Sequence, residues 1–289
     1  MNTRTENVVM VEMFLNKIKK ITNDVELVTR ILSAGVLIPI ILWITYTGGY
    51  VFYALSAFIY LASLREWSRL STNSHFHPLS LFAALSVFLY HTQLLTSSTY
   101  ITSAIIFITY TYHQFKKCSL PSIERWAIFI SGIIYLTVSM ECFVCIQNES
   151  AIGSLLLLWI YSIIWATDSG AYILGKTLKG PKLCPRLSPN KTWSGFVGGT
   201  LSAILIGSYL FNAIDLKLTA IIPIFIIIAI LSISAHIGDL IESSVKRYFG
   251  VKNAGQLIPG HGGILDRLDS LFLVCFVAKV LLIYKVFSF

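Results

Sequence analysis

Residues 238–270 read GDLIESSVKRYFGVKNAGQLIPGHGGILDRLDS and place a dense set of charges between two long apolar segments. Asp239 and Glu242 are three residues apart, and so are Asp266 and Asp269. On a helix each pair shares one face, where two carboxylates repel each other unless a cation lies between them. A divalent metal ion is the usual cation in such a position. The stretch therefore predicts a charged site at the edge of an apolar helical protein.

A glycine-rich turn, PGHGG from Pro259 to Gly263, separates the two acid pairs and opens directly into the last apolar segment. The first backbone N–H groups of a helix have no partner within the helix and face the positive end of its dipole, so they favour anions. We therefore expect the amides of Gly262 and Gly263 to assist in binding a phosphate. Acids, phosphate-binding amides and bases at a membrane edge together predict phosphate chemistry on a lipid.

The composition is that of an integral membrane protein. Of 289 residues, 55% are hydrophobic and only 12% are charged, about half the charged fraction of an average soluble domain. The net charge of +8 lies in short clusters between apolar runs. That arrangement indicates membrane topology and contact with anionic lipid headgroups, and it argues against nucleic acid as a partner. The five cysteines, an odd number mostly inside apolar runs, predict no disulfide framework.

The apolar runs predict an all-α polytopic membrane protein with about nine transmembrane helices. Their approximate bounds are 29–47, 49–66, 78–96, 99–116, 126–146, 151–174, 193–213, 218–237 and 263–285. With the N-terminus in the cytoplasm, every lysine and arginine except Lys217, Lys279 and Lys285 falls on the cytoplasmic side. This agrees with the positive-inside rule and places the C-terminus on the opposite side.

The chain divides into a short N-terminal segment and one membrane domain. Residues 1–27 carry apolar side chains at helical spacing beside lysines, which is typical of an interfacial amphipathic helix, and a disordered tail is the alternative. Residues 28–289 form a single polytopic domain, with its site motifs in 168–199 and 236–270.

The first of these segments contains a carboxylate and a nucleotide-binding pattern inside an apolar run. Asp168 lies within a predicted membrane helix, where a charge costs at least ~2.5 kcal/mol unless it faces a polar cavity or a partner. We interpret it as a wall of the site, with a helix-end cap as the alternative.

Residues 170–177 fit G-x-x-x-x-G-K-[ST], the nucleotide-binding P-loop pattern, but no strand precedes them and Gly180-Pro181 follow. We interpret that match as coincidence.

The two segments resemble the signatures of the phosphatidate cytidylyltransferase (CDP-diacylglycerol synthase) family. The first, Asp-x-Gly-Ala-Tyr followed by Ser-Pro-x-Lys-Thr-x-x-Gly, matches from Asp168 to Gly195. The second, S-x-x-K-R and then P-G-H-G-G-x-x-D-R-x-D, matches from Ser243 to Asp269. One position departs, because the family commonly has Lys-Asp in the loop where this chain has Lys252-Asn253.

The resemblance implies a reaction of CTP with phosphatidic acid that gives CDP-diacylglycerol and pyrophosphate, at the cytoplasmic face of a bacterial inner membrane. Its implied cofactor is Mg²⁺, as one ion or a metal pair, held by Asp239, Asp266 and Asp269. The implied catalytic residues are Asp239, Asp266, Asp269, Lys246, Arg247 and His261. The implied substrate-binding residues are Asp168, Ser188, Asn190, Lys191, Thr192, Gly262, Gly263 and Arg267.

Three questions stay open at this point. An anion transporter would also use acids inside the membrane, although no inverted repeat is visible. A relative that acts on another lipid phosphate has no distinguishing feature in the sequence, and a homo-oligomer is equally open. Glu242 is either a partner behind the metal ligands or a salt-bridge partner of Lys246, one helical turn on.

Overall fold

The computed structural model describes residues 32–72, 123–149, 152–214, 217–218, 222–258, 262–284 and 287–288. This part of the chain is mostly helical. Its helices are α1 (Leu32–Thr47), α2 (Gly49–Thr72), α3 (Ile123–Gln147), α4 (Gly153–Leu178), α5 (Trp193–Ala213), α6 (Ile224–Tyr248) and α7 (Leu265–Ile283). Its strands are β1 (Lys182–Cys184), β2 (Ser188–Thr192), β3 (Lys217–Leu218) and β4 (Phe287–Ser288).

Four of the described helices, α3 to α6, are long and apolar enough to cross a membrane, and α1 is a shorter apolar helix. Each of the seven predicted helices that fall in the described ranges corresponds to one of α1 to α7. The predicted helices 78–96 and 99–116 and the segment 1–27 lie outside the described residues. A membrane protein with several apolar helices is confirmed, and the count of nine spans stays a prediction.

The predicted end of this membrane helix at residue 237 is wrong, because α6 continues to Tyr248. Asp239, Glu242 and Lys246 recur at helical spacing, so a charged stripe continues the helix where the hydropathy falls. The start of α6 is also displaced from the predicted 218 to Ile224, since Pro223 adopts an extended conformation just before it. In the same way α2 runs on to Thr72 instead of ending at 66.

The all-α prediction needs a small amendment, because the predicted loop after α4 contains a hairpin. Lys179 ends α4 in the left-handed conformation. Strands β1 and β2 then pair antiparallel, Lys182 with Thr192 and Cys184 with Ser188. The Trp193 amide donates to the Pro181 carbonyl at 2.9 Å and closes the hairpin against the start of α5. The hairpin therefore holds the residues that follow α4 at the end of the helical bundle.

Helices α4 and α5 pack most closely, because small residues line their contact. Gly195, Gly198 and Gly199 are all buried on α5, where the absence of a side chain allows close helix packing. A hydroxyl pair ties α6 to the same interface, where Thr167 donates to Ser232 at 2.9 Å. The backbone positions on which the site depends are therefore fixed by closely packed helices.

Gly199→Ala should destabilise the protein by about 1–3 kcal/mol, because overpacking a closed interface forces the helices apart. An added Cβ would lie 2.6 Å from the Thr167 carbonyl oxygen, which is backbone and cannot move alone. Gly35→Ala is the matched control, since a Cβ there would meet nothing within 4 Å and alanine favours the helix. Thermal unfolding in detergent measures both, and an equal midpoint for the two variants would contradict the close packing.

The other end of the bundle holds the described C-terminal strand. Strand β3 pairs with β4, Lys217 with Ser288 and Leu218 with Phe287. Because the 21-residue α5 separates the hairpin from this sheet, the two lie about 30 Å apart. At the same far end Lys279 forms an ion pair with Glu149 at 2.6 Å. The hairpin and the C-terminal strand thus lie at opposite ends of the helices.

Candidate active site

The two sequence segments that carry the motifs meet in space through one ion pair. Lys191 Nζ on β2 lies 2.6 Å from Asp239 Oδ2 on α6, and both side chains are partly exposed. Ser243, one helical turn further along α6, donates to the other oxygen of Asp239 at 3.2 Å. A base from the hairpin and an acid from the last motif therefore meet in one partly exposed group of charges, here called the cleft.

Two further charges face this cleft from neighbouring helices. Asp168 on α4 is exposed, and its carboxylate interacts electrostatically with Asp239, Lys191 and Arg267. Arg267 itself is exposed in the first turn of α7. The predicted interpretation of Asp168 as a wall of the site agrees with this position, since four separate elements converge on the same opening.

Below the cleft lies a buried set of charges centred on Lys246. Its Nζ donates to Glu242 Oε2 and to Asp266 Oδ1, each at 2.7 Å. Glu242 and Lys246 are only 5% and 9% exposed, so these bonds are shielded from water. Of the two roles left open for Glu242, the salt bridge to Lys246 is confirmed.

Asp266 organises the loop between α6 and α7 in addition to binding Lys246. Its Oδ2 accepts from the amide of Ala254 at 2.9 Å and from that of Gly263 at 3.0 Å. The Gly262 amide donates instead to the carbonyl of Ile258 at 3.1 Å. The amides expected to assist a phosphate thus have protein partners here, and their contact with a phosphate stays a prediction.

Asp269 lies at the junction of the cleft and the buried set, in electrostatic contact with Asp239 and Glu242. Its Oδ1 accepts from the amide of Ser270 at 2.7 Å. The Oε1 atom of Glu242 is buried and has no hydrogen-bond partner. Carboxylates placed this close together repel, so the junction favours a bound cation or a shared proton.

The hairpin contributes structural contacts as well as charge. Thr192 caps α5, with its Oγ1 accepting from the Gly195 amide at 3.1 Å. Arg247 donates to the Leu187 carbonyl at 3.3 Å and to the Val251 carbonyl at 3.0 Å, which joins α6 to the hairpin turn. Ser188 is half-buried and Asn190 is exposed at the same edge. Thr192 and Arg247 therefore hold the hairpin in place, and a contact of either with substrate stays a prediction.

The charge of the site fits a divalent cation. The connected set contains five carboxylates and three cations: Asp168, Asp239, Glu242, Asp266 and Asp269 with Lys191, Lys246 and Arg267. The carboxylates outnumber the cations by two, and a buried oxygen of Glu242 lacks a hydrogen-bond partner, which suits an oxygen-preferring dication. In the described ranges, no group of three Asp, Glu, His or Cys side chains is close enough together to hold one metal ion. Asp266 would have to exchange one of its bonds to become a ligand.

Comparison with known proteins decides the family. Residues 28–285 match the cytidylyltransferase family. This chain belongs to that family. A phosphatidate cytidylyltransferase of Brucella suis biovar 1 is 36% identical over 265 residues, covering 89% of this chain and 91% of the relative. Another, of Staphylococcus epidermidis, is 31% identical over 267 residues, covering 90% and 98%. The resemblance inferred from the two motifs is confirmed.

The match to the cytidylyltransferase family also reaches the half of the chain where the motifs gave no information. It begins at residue 28, so α1, α2 and α3 are part of the family domain. The P-loop pattern at 170–177 is confirmed as coincidence, because all of it lies in α4. His261 lies outside the described residues, so its role stays a prediction.

Sequence reasoning missed one residue beside this cytidylyltransferase site. Glu66 on α2 contacts the start of α7, and no spacing in the sequence marks it. His236 lies three residues before Asp239 on α6, and its Nε2 is buried without a hydrogen-bond partner. Its ring packs against Phe196, with the two centroids 4.8 Å apart.

Asn253→Asp should change turnover by less than about ten-fold, because one added charge at an exposed position is largely screened. Asn253 is exposed beside Gly262, and the carboxylates of the site are already supplied by α6 and α7. Steady-state rates of the two proteins at matched Mg²⁺ concentrations test this. A rise of several orders of magnitude would instead make the family's usual aspartate a principal metal ligand.

Proposed function

We propose that this chain is a phosphatidate cytidylyltransferase, which transfers CMP from CTP to phosphatidic acid and releases pyrophosphate. The observation that supports this most is the 2.6 Å ion pair between Lys191 and Asp239, because it joins both motif segments in one cleft. The relatives that cover about nine-tenths of the chain carry this name. An open, charged cleft beside apolar helices suits a reaction between a water-soluble nucleotide and a lipid headgroup.

The chemistry requires alignment and charge neutralisation and no covalent enzyme intermediate. A phosphate oxygen of phosphatidic acid attacks the α-phosphorus of CTP in line, and the bond to the pyrophosphate oxygen breaks. Lys191 and Arg267, which face the cleft, are placed to bind the phosphates and balance their charge. A divalent ion held by Asp239, Asp266 and Asp269 would neutralise charge on the phosphates and the leaving oxygen.

Lys246 acts differently from Lys191 in this proposal. Its ammonium group is bonded to Glu242 and Asp266 and is almost completely buried, so it holds the acids in position. Binding a substrate phosphate directly would require Lys246 to leave two buried carboxylates without a cation. In this proposal Lys246 therefore positions Asp266, instead of gripping a substrate phosphate as the sequence predicts.

We place the site on the cytoplasmic side of a bacterial inner membrane and the C-terminus on the opposite side. The hairpin, which contains Lys182, Arg186 and Lys191, and the strand β4 lie at opposite ends of the helices, which agrees with the positive-inside rule. A homo-oligomer stays open.

In a variant without native cysteines, Asn190→Cys and Gln256→Cys should react with a membrane-impermeant maleimide only after the cytoplasmic face is opened. Both positions are exposed at the site end. Phe289→Cys should react in intact cells, because the C-terminus is predicted on the other side. Labelling of all three positions from the same side would mean that the number of spans between them is wrong.

Pyrophosphate release in detergent micelles tests the proposed activity. Release should need CTP and phosphatidic acid together, and it should stop when diacylglycerol, which lacks the phosphate nucleophile, replaces the lipid. A relative specific for another lipid phosphate would respond to that lipid instead. Nucleotide hydrolysis without lipid, or solute flux in vesicles without pyrophosphate release, would contradict the proposal and favour a different class of protein.

A further inference from the structure

Glu66 is a buried acid that belongs to neither motif. It lies on α2 and is only 6% exposed. A buried carboxylate is strongly destabilising unless its oxygens are hydrogen-bonded or paired with a cation. The partners of Glu66 therefore indicate what the carboxylate does in this fold.

Those partners are the two backbone amides at the start of α7, those of Ile264 and Leu265. The Ile264 amide donates to Glu66 Oε1 at 3.1 Å, and the Leu265 amide donates to Oε2 at 2.8 Å. The described residue just before α7, Ile264, supplies no side-chain cap. Unpaired amides at a helix N-terminus are usually capped by a residue next to them in sequence. Here the cap comes from another helix, and its negative charge also complements the helix dipole.

The loop between α6 and α7 encloses the same carboxylate from two sides. A Cβ added at Gly255 would collide with Glu66 Oε1, and one added at Gly263 would collide with Oε2. Neither glycine has a backbone conformation that disfavours other residues, so the need for glycine is steric at both positions. The three nearest atoms to a Cβ at Gly255 all belong to Glu66, which makes this contact specific.

The loop held by Glu66 also carries a residue of the site. Asp266 accepts from the amides of Ala254 and Gly263, which adjoin the two glycines that contact Glu66. A shift of the loop would therefore move Asp266 and the first turn of α7 relative to Lys246. A misplacement of catalytic groups by about 1 Å can cost about a hundred-fold in rate.

We propose that Glu66 is a positioning residue for the transfer reaction: it fixes the loop at Gly255 and Gly263 and the first turn of α7, and so sets where Asp266 lies. This inference rests on the proposed function. It assigns to α2, which the motifs do not cover, a direct part in building the site. It also gives a steric reason for the glycines on both sides of the loop.

Glu66→Gln is the first test, because it keeps the size and one acceptor but removes the charge and presents an N–H to an amide N–H. We expect kcat to fall roughly 10- to 100-fold while KM for CTP and for phosphatidic acid changes less than about three-fold, as misplaced catalytic groups weaken mainly the transition state. Glu149→Gln is the matched control. It removes a carboxylate bound to the far end of α7 through Lys279, and its kcat should stay within about two-fold of the parent.

A double-mutant cycle with Gly255 tests the contact itself. Gly255→Ala alone should lower kcat at least about ten-fold, because its Cβ displaces the Glu66 carboxylate. In the Glu66→Asp background, where the carboxylate is withdrawn by one methylene, the same change should cost less than about three-fold more. Fully additive losses would overturn the inference, since the two residues would then act independently.

The outcomes separate this inference from the activity on which it rests. A folded Glu66→Gln variant with parental kcat overturns it, and so does a variant that loses stability but keeps parental kcat per folded molecule. If the parent itself forms no CDP-diacylglycerol, the proposed function fails. Hydrogen–deuterium exchange of the peptide spanning 262–268 then tests the contact of Glu66 with α7 directly. If the contact exists, this peptide exchanges faster in Glu66→Gln than in the parent or in Glu149→Gln. Equal exchange in all three proteins overturns the inference.

Discussion

Asp269→Asn should lower turnover by roughly 10³-fold while leaving the protein folded, an effect in the range seen when a group that stabilises transition-state charge is removed. The carboxylate lies beside Glu242 and interacts electrostatically with Asp239. Asparagine keeps the size and one oxygen but removes the charge that attracts a dication. Since one like charge is also removed, the unfolding midpoint without metal should stay level or rise.

Asp266→Asn should behave differently, although the sequence treats the two aspartates as one pair. Asp266 holds Lys246 and two loop amides, so its replacement should lower both turnover and stability. Glu149→Gln, at the far end of α7, serves as the control for both measurements. A well-folded Asp269→Asn protein with near-parental turnover would contradict a metal-binding role for Asp269, and a failure to fold would make its role structural.

Lys246→Met should reduce the free energy of unfolding by roughly 3–5 kcal/mol, because it leaves buried carboxylates without their cation. Glu242 is 5% exposed, and the Asp266 side chain is 8% exposed. Methionine fills a similar volume, so the loss reflects charge and not a cavity. Turnover should fall as well, since Asp266 loses the bond that orients it.

A second substitution distinguishes charge from packing in this buried set. Adding Glu242→Gln to Lys246→Met should recover part of the stability, because one of the two unpaired carboxylates is neutralised, and it should recover no activity. Lys176→Met is the control, since that lysine is exposed on α4 and its loss should cost less than about 1 kcal/mol. A stable, active Lys246→Met protein would contradict the role of Lys246 as the counter-ion.

The sequence predicts the parts of this fold that depend on local pattern. Hydropathy predicts α5 with its observed bounds, and the spacing of Glu242 and Lys246 predicts their salt bridge. Contacts between distant segments leave no such pattern. Neither the ion pair of Lys191 with Asp239 nor the cap that Glu66 places on α7 follows from any spacing in the chain.

The errors in the prediction have the same origin. Hydropathy ends a helix where charge begins, but helices tolerate a charged face wherever partners exist, as α6 shows beyond Gly238. The hairpin is short and rich in prolines and lysines, so only its backbone pairing identifies it. The family is predictable because its motifs combine rare residues in a fixed order, whereas their geometry depends on the packing of the helices.

Transfer of label from CTP to lipid is the most direct test of the central claim. With purified protein, phosphatidic acid and Mg²⁺ in micelles, label from [α-³²P]CTP should enter the chloroform-soluble product, and label from [γ-³²P]CTP should remain in pyrophosphate. Asp269→Asn, measured in parallel, should transfer almost none. Label from the γ position in the lipid would indicate a kinase, and no lipid label from either nucleotide would contradict the assignment of this chain as a phosphatidate cytidylyltransferase.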